Sequence, residues 1–232
     1  MTNSKKANWL ITGAAGALGS ELVRQLTERG DDCIALDRDV DSLNRLHDSV
    51  ADKSGRAPAL MPMDLAGAAP QDYEQLAGAI KDQFGRLDGL IHNAAAFYGL
   101  QPLVQQPPGE WLQILQTSLT APYMLVSVLM PLMNSSARIV FIDDEQSVSR
   151  PAGWAAYGVA QAGRRQLAEI LRAERVSTGP QVLSIDPGAF ASPLRSAAWA
   201  SEVPGGAGSV REAAQRVLST IREQREEGKV AG

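Results

Sequence analysis

Residues 10–22 read LITGAAGALGSEL, and this stretch limits the possible folds more than any other in the chain. An apolar run, NWLIT (8–12), meets three glycines, Gly13, Gly16 and Gly19, and passes directly into a helical pattern (17–30). Leu18, Leu22, Val23 and Leu26 share one face of that helix, and Gly30 is its stop signal. In a strand–glycine loop–helix unit, one glycine permits the tight turn and another lets a pyrophosphate approach the backbone. The helix N-terminus then offers free N–H groups and partial positive charge to the phosphates. Thr12, Gly13, Gly16, Ala17, Leu18 and Gly19 are therefore candidate dinucleotide contacts; a glycine-rich turn without a ligand is the plainer alternative. Asp37, 18 residues beyond Gly19, ends a second apolar run, DCIALD (32–37). A carboxylate there accepts hydrogen bonds from ribose hydroxyls, which favours NAD(H) over NADP(H). The adjacent Arg38 suits a 2′-phosphate, which Asp37 would repel; its plainer reading is a solvated loop charge.

The alternation continues along the chain. Further strands are predicted within 57–65, 87–95, 137–143 and 181–186, with Pro62 a weak point in the first of these. Helices are predicted at 41–52, 73–85, 154–174 and 210–228, with a long apolar one at 109–133 despite Pro122. Near-continuous apolar strands separated by helices describe a parallel sheet covered on both faces. The fold class is α/β, a doubly wound parallel sheet, and 232 residues without a break in composition make a single domain over 1–232. SEVPGGAGS (201–209) reads as a mobile loop.

Charge and cysteine usage narrow the function classes. A formal net charge of −4 with no basic run gives no nucleic-acid surface. No apolar run is expected to reach membrane-spanning length, and WLI near the start is too short for a signal peptide. Cys33, the single cysteine, permits no internal disulfide and reads as a small buried side chain, so a cytoplasmic location is expected. No metal is expected: His92 ends a strand beside the nucleotide loop without a partner histidine, and His47 reads as exposed.

Several motifs together resemble the short-chain dehydrogenase/reductase family over residues 8 to about 194. TGAAGALG (12–19) is similar to its cofactor loop, and MDL (63–65) to its third-strand end, which puts Asp64 and Leu65 at the adenine. HNAA (92–95) resembles its NNAG segment, with Asn93 and Ala94 shaping the cofactor pocket. DPGAFASPL (186–194) resembles the segment near the nicotinamide, with Pro187, Gly188 and Ser192. The resemblance implies a Rossmann-type sheet of about six to seven strands, a nicotinamide cofactor, and a homodimer or homotetramer. Two departures stand out. Ala17 occupies a middle loop position where its methyl group crowds the pyrophosphate, and the sequence after 228 lacks the pattern of a final strand.

The resemblance also implies four catalytic positions, of which three are changed. Tyr157 stands at the proton-exchanging tyrosine. Gln161 replaces the lysine four residues later, Asp144 the serine thirteen residues earlier, and Ser118 the asparagine of the long helix. A free tyrosine titrates near pH ~10, and a nearby ammonium lowers that value. Gln161 has no charge to do so, and an ionised Asp144 raises the value further, so the rate should fall by roughly one to several powers of ten. Three rescues are open: a protonated Asp144 donating a hydrogen bond, Ser147 or Ser149 in the serine role, or positive charge from Arg164. The plainer readings are loop serines and a solvated or interface arginine.

Two functions remain in contention. One is an atypical oxidoreductase acting on a carbonyl or alcohol. The other is an inactive dinucleotide-binding sensor or scaffold. A nucleotide-free structural subunit fits less well with the loop, Asp37, Asp64 and Asn93. The substrate pocket is expected from 96–102 and 189–210, whose small apolar residues suit an uncharged small molecule.

Overall fold

The computed structural model describes residues 6–174, 179–199 and 207–230, the last six by backbone alone. The loop expected at 201–209 falls largely outside the described residues. Six parallel strands form one sheet in the order β3-β2-β1-β4-β5-β6. They are β1 (Asn8–Thr12), β2 (Asp32–Asp37), β3 (Ala59–Pro62), β4 (Leu87–His92), β5 (Met133–Ile142) and β6 (Gln181–Ile185). The helices are α1 (Ala17–Glu28), α2 (Val40–Ser54), α3 (Pro70–Phe84), α4 (Pro108–Leu115), α5 (Ala121–Leu129), α6 (Glu145–Ser149), α7 (Ala155–Glu174), α8 (Pro193–Ala198) and α9 (Val210–Val230).

Alternation along each strand sends successive side chains to opposite faces. In β1, Trp9 and Ile11 pack with Leu22 and Val23 of α1, Leu43 of α2 and Val217 of α9. Leu10 points the other way, into a second core with Ile80 of α3, Leu125 and Leu129 of α5 and Ala168 of α7. Each fully buried Leu or Ile contributes about 1.5–3 kcal/mol relative to exposure, so both helix layers are held mainly by these faces. Gly89 of β4 lies opposite Trp9, and a Cβ there would sit 2.0 Å from the indole ring. The central strand pair therefore closes only because that position has no side chain.

The expected long helix at 109–133 is interrupted. A π-helical turn, Gln116–Thr120, separates α4 from α5, and a 3₁₀ turn follows at Met130–Leu132. Pro122 explains the break: it lacks an N–H, and its ring would meet a carbonyl of the preceding turn in a regular helix. Contrary to the sequence expectation, Pro108–Leu132 is long and apolar enough by composition to cross a membrane. In this fold Ala121, Leu125, Val126 and Leu129 are spent on the core. Pro62 sits at the end of β3, the sheet's edge, where a missing donor is tolerated. Helices α6 and α8 are too short to leave a periodic pattern in the sequence.

The strand order reverses direction between β1 and β4. The helices that follow them cover opposite faces, α1 in one core and α5 in the other. In open α/β sheets this is where a crevice forms for ligands.

Candidate active site

A cavity of about 740 Å³ opens at that switch point. Its floor is the glycine loop, held by bonds that depend on residue identity. Thr12 Oγ1 donates to Ile91 O (3.4 Å) and accepts from the N–H groups of Asn93 (3.1 Å) and Ala94 (3.0 Å). The Asn93 amide donates to Thr12 O (3.1 Å) and Gly13 O (3.0 Å). The β1 and β4 loops are thus stitched into one surface. Gly13 has φ +64°, a left-handed conformation that glycine adopts without strain. A Cβ at Gly19 would lie 2.1 Å from Gly13 O, so only glycine fits. No side chain caps the N-terminus of α1 and no acidic residue lies in its first turn, so its N–H groups face the cavity uncontested.

Of the sequence-predicted cofactor residues, Gly13, Gly16, Ala17, Leu18, Asp37, Arg38, Asp64, Leu65, Asn93, Ala94, Pro187, Gly188 and Ser192 line this cavity. Thr12 and Gly19 do not; they shape the loop from beneath. Asp37 accepts from the N–H groups of Ala15 (Oδ2, 3.0 Å) and Asp39 (Oδ1, 3.2 Å), which fixes the carboxylate at the cavity rim. Arg38 is exposed on the same rim. Ser192 also caps α8, where its hydroxyl accepts from Arg195 N at 3.1 Å.

The four catalytic positions do not all converge. Tyr157 on α7 is buried, and its hydroxyl donates to Asp144 Oδ2 at 3.2 Å. Asp144 also caps α6, its Oδ1 accepting from Gln146 N (3.1 Å) and Ser147 N (3.3 Å). Gln161 is buried one turn beyond Tyr157, and its Oε1 has no partner among the described residues. All three line the cavity. Ser118 does not. The π turn buries its hydroxyl, which accepts from Ala96 N at 3.1 Å, and Thr117 faces the cavity in its place.

The serine rescue fails on geometry. Ser147 is buried and donates to Asp144 O (2.9 Å), while the exposed Ser149 donates to Glu145 O (2.8 Å); neither lines the cavity. The reading of Arg164 as a solvated or interface charge is also overturned. It is 1% exposed, lines the cavity floor, and donates from Nη2 to His92 O (2.5 Å) and from Nη1 to Ala94 O (3.5 Å). A helix pattern does not distinguish an arginine that snorkels outward from one that turns inward.

The electrostatics follow from burial. Burial pushes the Tyr157 phenol far above its ordinary value, and the Asp144 carboxylate pushes it further; Arg164 and Gln161 pull the other way. Burial also raises the Asp144 carboxyl, against the N–H groups of Ser147 and Gln146 and the Tyr157 hydroxyl, which lower it. His92, stacked on Phe141 with ring centroids 4.6 Å apart, is held neutral by burial and by Arg164.

Beside Tyr157 the wall is aromatic. Phe97 lies edge-on to it at 5.2 Å, Trp154 packs at 5.4 Å, and Trp199 continues the cluster from Trp154 at 5.4 Å. Phe97, Tyr98, Leu194, Arg195 and Trp199 line this end of the cavity, and the Arg195 guanidinium sits 4.7 Å over the Trp199 ring. All five fall within the two expected pocket segments, 96–102 and 189–210, but large aromatic side chains stand where small apolar ones were expected. Asp186, to which the sequence motif assigns no role, accepts from Gly188 N (2.6 Å) and Glu145 N (3.0 Å), tying the β6 loop to the start of α6.

The chain and its fold have known counterparts. The sequence model described as short chain dehydrogenase matches residues 7–202. The chain is 28% identical over 197 residues to the uncharacterized oxidoreductase YciK of Escherichia coli K12, covering 84% of this chain and 78% of that one. A short chain dehydrogenase from Shigella flexneri complexed with NADP superposes with a TM-score of 0.84 at 27% identity, over 88% of this chain and 86% of that one. One from E. coli CFT073 complexed with NADPH gives 0.88 at 26% identity, over 95% and 92%. With the family sequence matched over most of the chain and the fold matched over nearly all of it, this protein belongs to the short-chain dehydrogenase family of oxidoreductases.

Proposed function

We propose that the protein is a slow, nicotinamide-dinucleotide-dependent reductase of an uncharged carbonyl compound with an apolar, planar group. The observation that carries this reading is that Tyr157 and the glycine loop share one cavity. The loop fits a pyrophosphate: a Cβ at Gly13 or Gly19 would collide with the backbone of Ala94 or of Gly13 and force the loop out of shape, and no side chain caps the α1 N-terminus beside it. Gly13, Gly16 and Ala17 would hold the phosphates, Asp37 the adenosine ribose, Asp64 and Leu65 the adenine, and Asn93, Pro187, Gly188 and Ser192 the nicotinamide end. When bound, the dinucleotide supplies a hydride to the carbonyl carbon.

The chain's own part is to place the carbonyl and give its oxygen a proton. The hydroxyl of Tyr157 is the donor. Its raised pKa keeps it protonated but makes it a weak proton donor, which slows reduction, and it leaves almost no tyrosinate to act as base in the reverse reaction. Asp144 sets how freely that proton leaves. Ionised, it holds the phenolic hydrogen; protonated, it can donate to the phenol oxygen and release that hydrogen towards the substrate. Phe97, Tyr98, Leu194 and Trp199 exclude water and stack against a flat apolar group.

Asp37 supports NADH, because a 2′-phosphate would meet its carboxylate. Arg38 on the same rim, together with the NADP and NADPH of the two neighbours, supports NADPH. We take NADH as the preferred cofactor on the strength of the fixed Asp37 carboxylate. Leu112 of α4, Tyr123 of α5, and Val159 and Ile170 of α7 are exposed apolar side chains, and they support self-association as a homodimer or homotetramer. A cytoplasmic location, with a small molecule rather than nucleic acid or membrane as partner, completes the reading.

The test is a fluorescence titration with NADH and NADPH, followed by a screen of aromatic ketones and aldehydes with Gln161→Lys as a gain-of-activity control. Micromolar binding and turnover that rises in the variant support the proposal. Absence of binding at millimolar concentration overturns it, and binding without turnover in either protein leaves a dinucleotide-binding protein.

A further inference from the structure

Among the described residues, Arg164 is a buried cation that no carboxylate reaches as an ion pair. It lies seven residues after Tyr157 on the same face of α7. Its two Nη groups rest on the carbonyls of His92 and Ala94, and its Nε is buried without a partner. Carbonyl dipoles solvate a guanidinium but do not neutralise it, and an uncompensated charge in a low-dielectric site is costly. Such a charge persists in a fold when something in its neighbourhood becomes negative.

Two groups around it fit that description. Asp143, 8% exposed just past the end of β5, is already engaged by Arg165, whose Nε lies 3.3 Å from its Oδ2. Tyr157 is the other: it stands two turns earlier on the same face of α7, both side chains are buried, and both line the one cavity. The remaining charged groups near the phenol are Asp144, which opposes its ionisation, and Asp186, which faces Asp144 from the β6 loop. His92, whose carbonyl Arg164 holds, stays neutral and offers no competing charge.

We propose that Arg164 is the positioning residue that balances the negative charge left on Tyr157 when its proton passes to the substrate oxygen, a role for which Gln161 has no charge. This rests on the reading above that Tyr157 is the proton donor. The substrate oxygen gains the phenolic hydrogen, Tyr157 is left as tyrosinate beside the guanidinium, and solvent then reprotonates it. Arg164 touches no reacting atom; it acts through the phenol.

The test reads the phenol itself, without cofactor or turnover. A fluorinated tyrosine, whose lower intrinsic pKa brings titration into an accessible range, is placed at position 157 and followed by fluorine NMR against pH. Arg164→Met should raise its titration midpoint by about one unit or more. Arg164→Lys should restore most of the shift, and Gln161→Lys should lower the midpoint, showing that the probe senses charge. A midpoint in Arg164→Met within a few tenths of the parent, with Gln161→Lys still shifting it, overturns the proposal. If Arg164→Met does not fold, Arg164→Gln carries the same comparison. The NADH titration and ketone screen fail independently of this result, so loss of the functional reading is distinguishable from loss of this one.

Discussion

The Tyr157 hydroxyl donates to Asp144 Oδ2 across 3.2 Å, linking two residues thirteen apart in sequence. This bond places a carboxylate where a proton donor would need to release its proton, and the carboxylate raises the cost of ionising the phenol. Asp144→Asn removes the charge and keeps the shape. Its amide oxygen can still accept from Gln146 N and Ser147 N and so cap α6. The Tyr157 pKa should fall by about one unit, and reductase kcat at neutral pH should rise about tenfold. A steady-state pH profile of the two proteins checks this.

The same carboxyl gives a stability signature with a definite sign. Burial holds the folded-state Asp144 pKa above its ordinary value. Its contribution to stability is therefore complete at pH below the ordinary carboxylate range and is lost as pH rises through the raised value. Thermal melts of the parent should decline across that window relative to Asp144→Asn. Parallel pH curves would show that the group is not perturbed.

Much of this was legible from the chain because it rests on short-range geometry. Strand, glycine loop and helix in that order fix where β1 ends and what Gly13 and Gly19 must do, and Asp37 falls at the rim because β2 pairs in register with β1. Side-chain direction inside a helix was not legible. Ser118 and Thr117 are neighbours, and the π turn forced by Pro122 decides which one faces the cavity. Arg164 reads as any amphipathic-helix arginine until α7 is docked against the β4 end, when its inward direction becomes visible. The aromatic wall likewise joins 97, 154 and 199, which no local pattern connects.

Gly19 offers a sharp test of the loop. An alanine methyl there would sit 2.1 Å from Gly13 O and 2.9 Å from both Ala14 Cα and the Asn93 amide nitrogen, two of the three being backbone atoms that cannot swing aside. Gly19→Ala should cost about 1–3 kcal/mol in urea unfolding and abolish dinucleotide binding. Gly78 in α3 is the control, because a Cβ there meets nothing within 4 Å. Gly78→Ala should stabilise by about 0.5–1 kcal/mol and leave binding unchanged.

Cofactor choice turns on the rim. Asp37 Oδ1 accepts from Asp39 N and Oδ2 from Ala15 N, so Asp37→Asn keeps one of these bonds while removing the charge that opposes a 2′-phosphate. With Arg38 beside it, the NADPH-to-NADH affinity ratio should rise about tenfold, equivalent to about 1.4 kcal/mol. Paired fluorescence titrations measure the ratio, and an unchanged value would remove Asp37 from cofactor selection.

Ala155 enters α7 with φ +44°, the one non-glycine residue with positive φ among the described residues, two positions before Tyr157. The chain is held there from both sides. Gly153 precedes it at φ +86°, and Ala156 N donates to Gln106 Oε1 at 2.9 Å. A Cβ in this region costs about 1–3 kcal/mol, against which glycine gives back about 0.5–1 kcal/mol through its greater unfolded-state freedom. Ala155→Gly should therefore stabilise the fold by about 0.5–2 kcal/mol, or about 1–8 °C in Tm for a chain of this size. Tyr157 is fixed by Asp144 and by its aromatic neighbours rather than by the Ala155 methyl, so its pH profile should not move. A rise in Tm together with a displaced profile would show instead that the strained entry to α7 sets the position of the phenol.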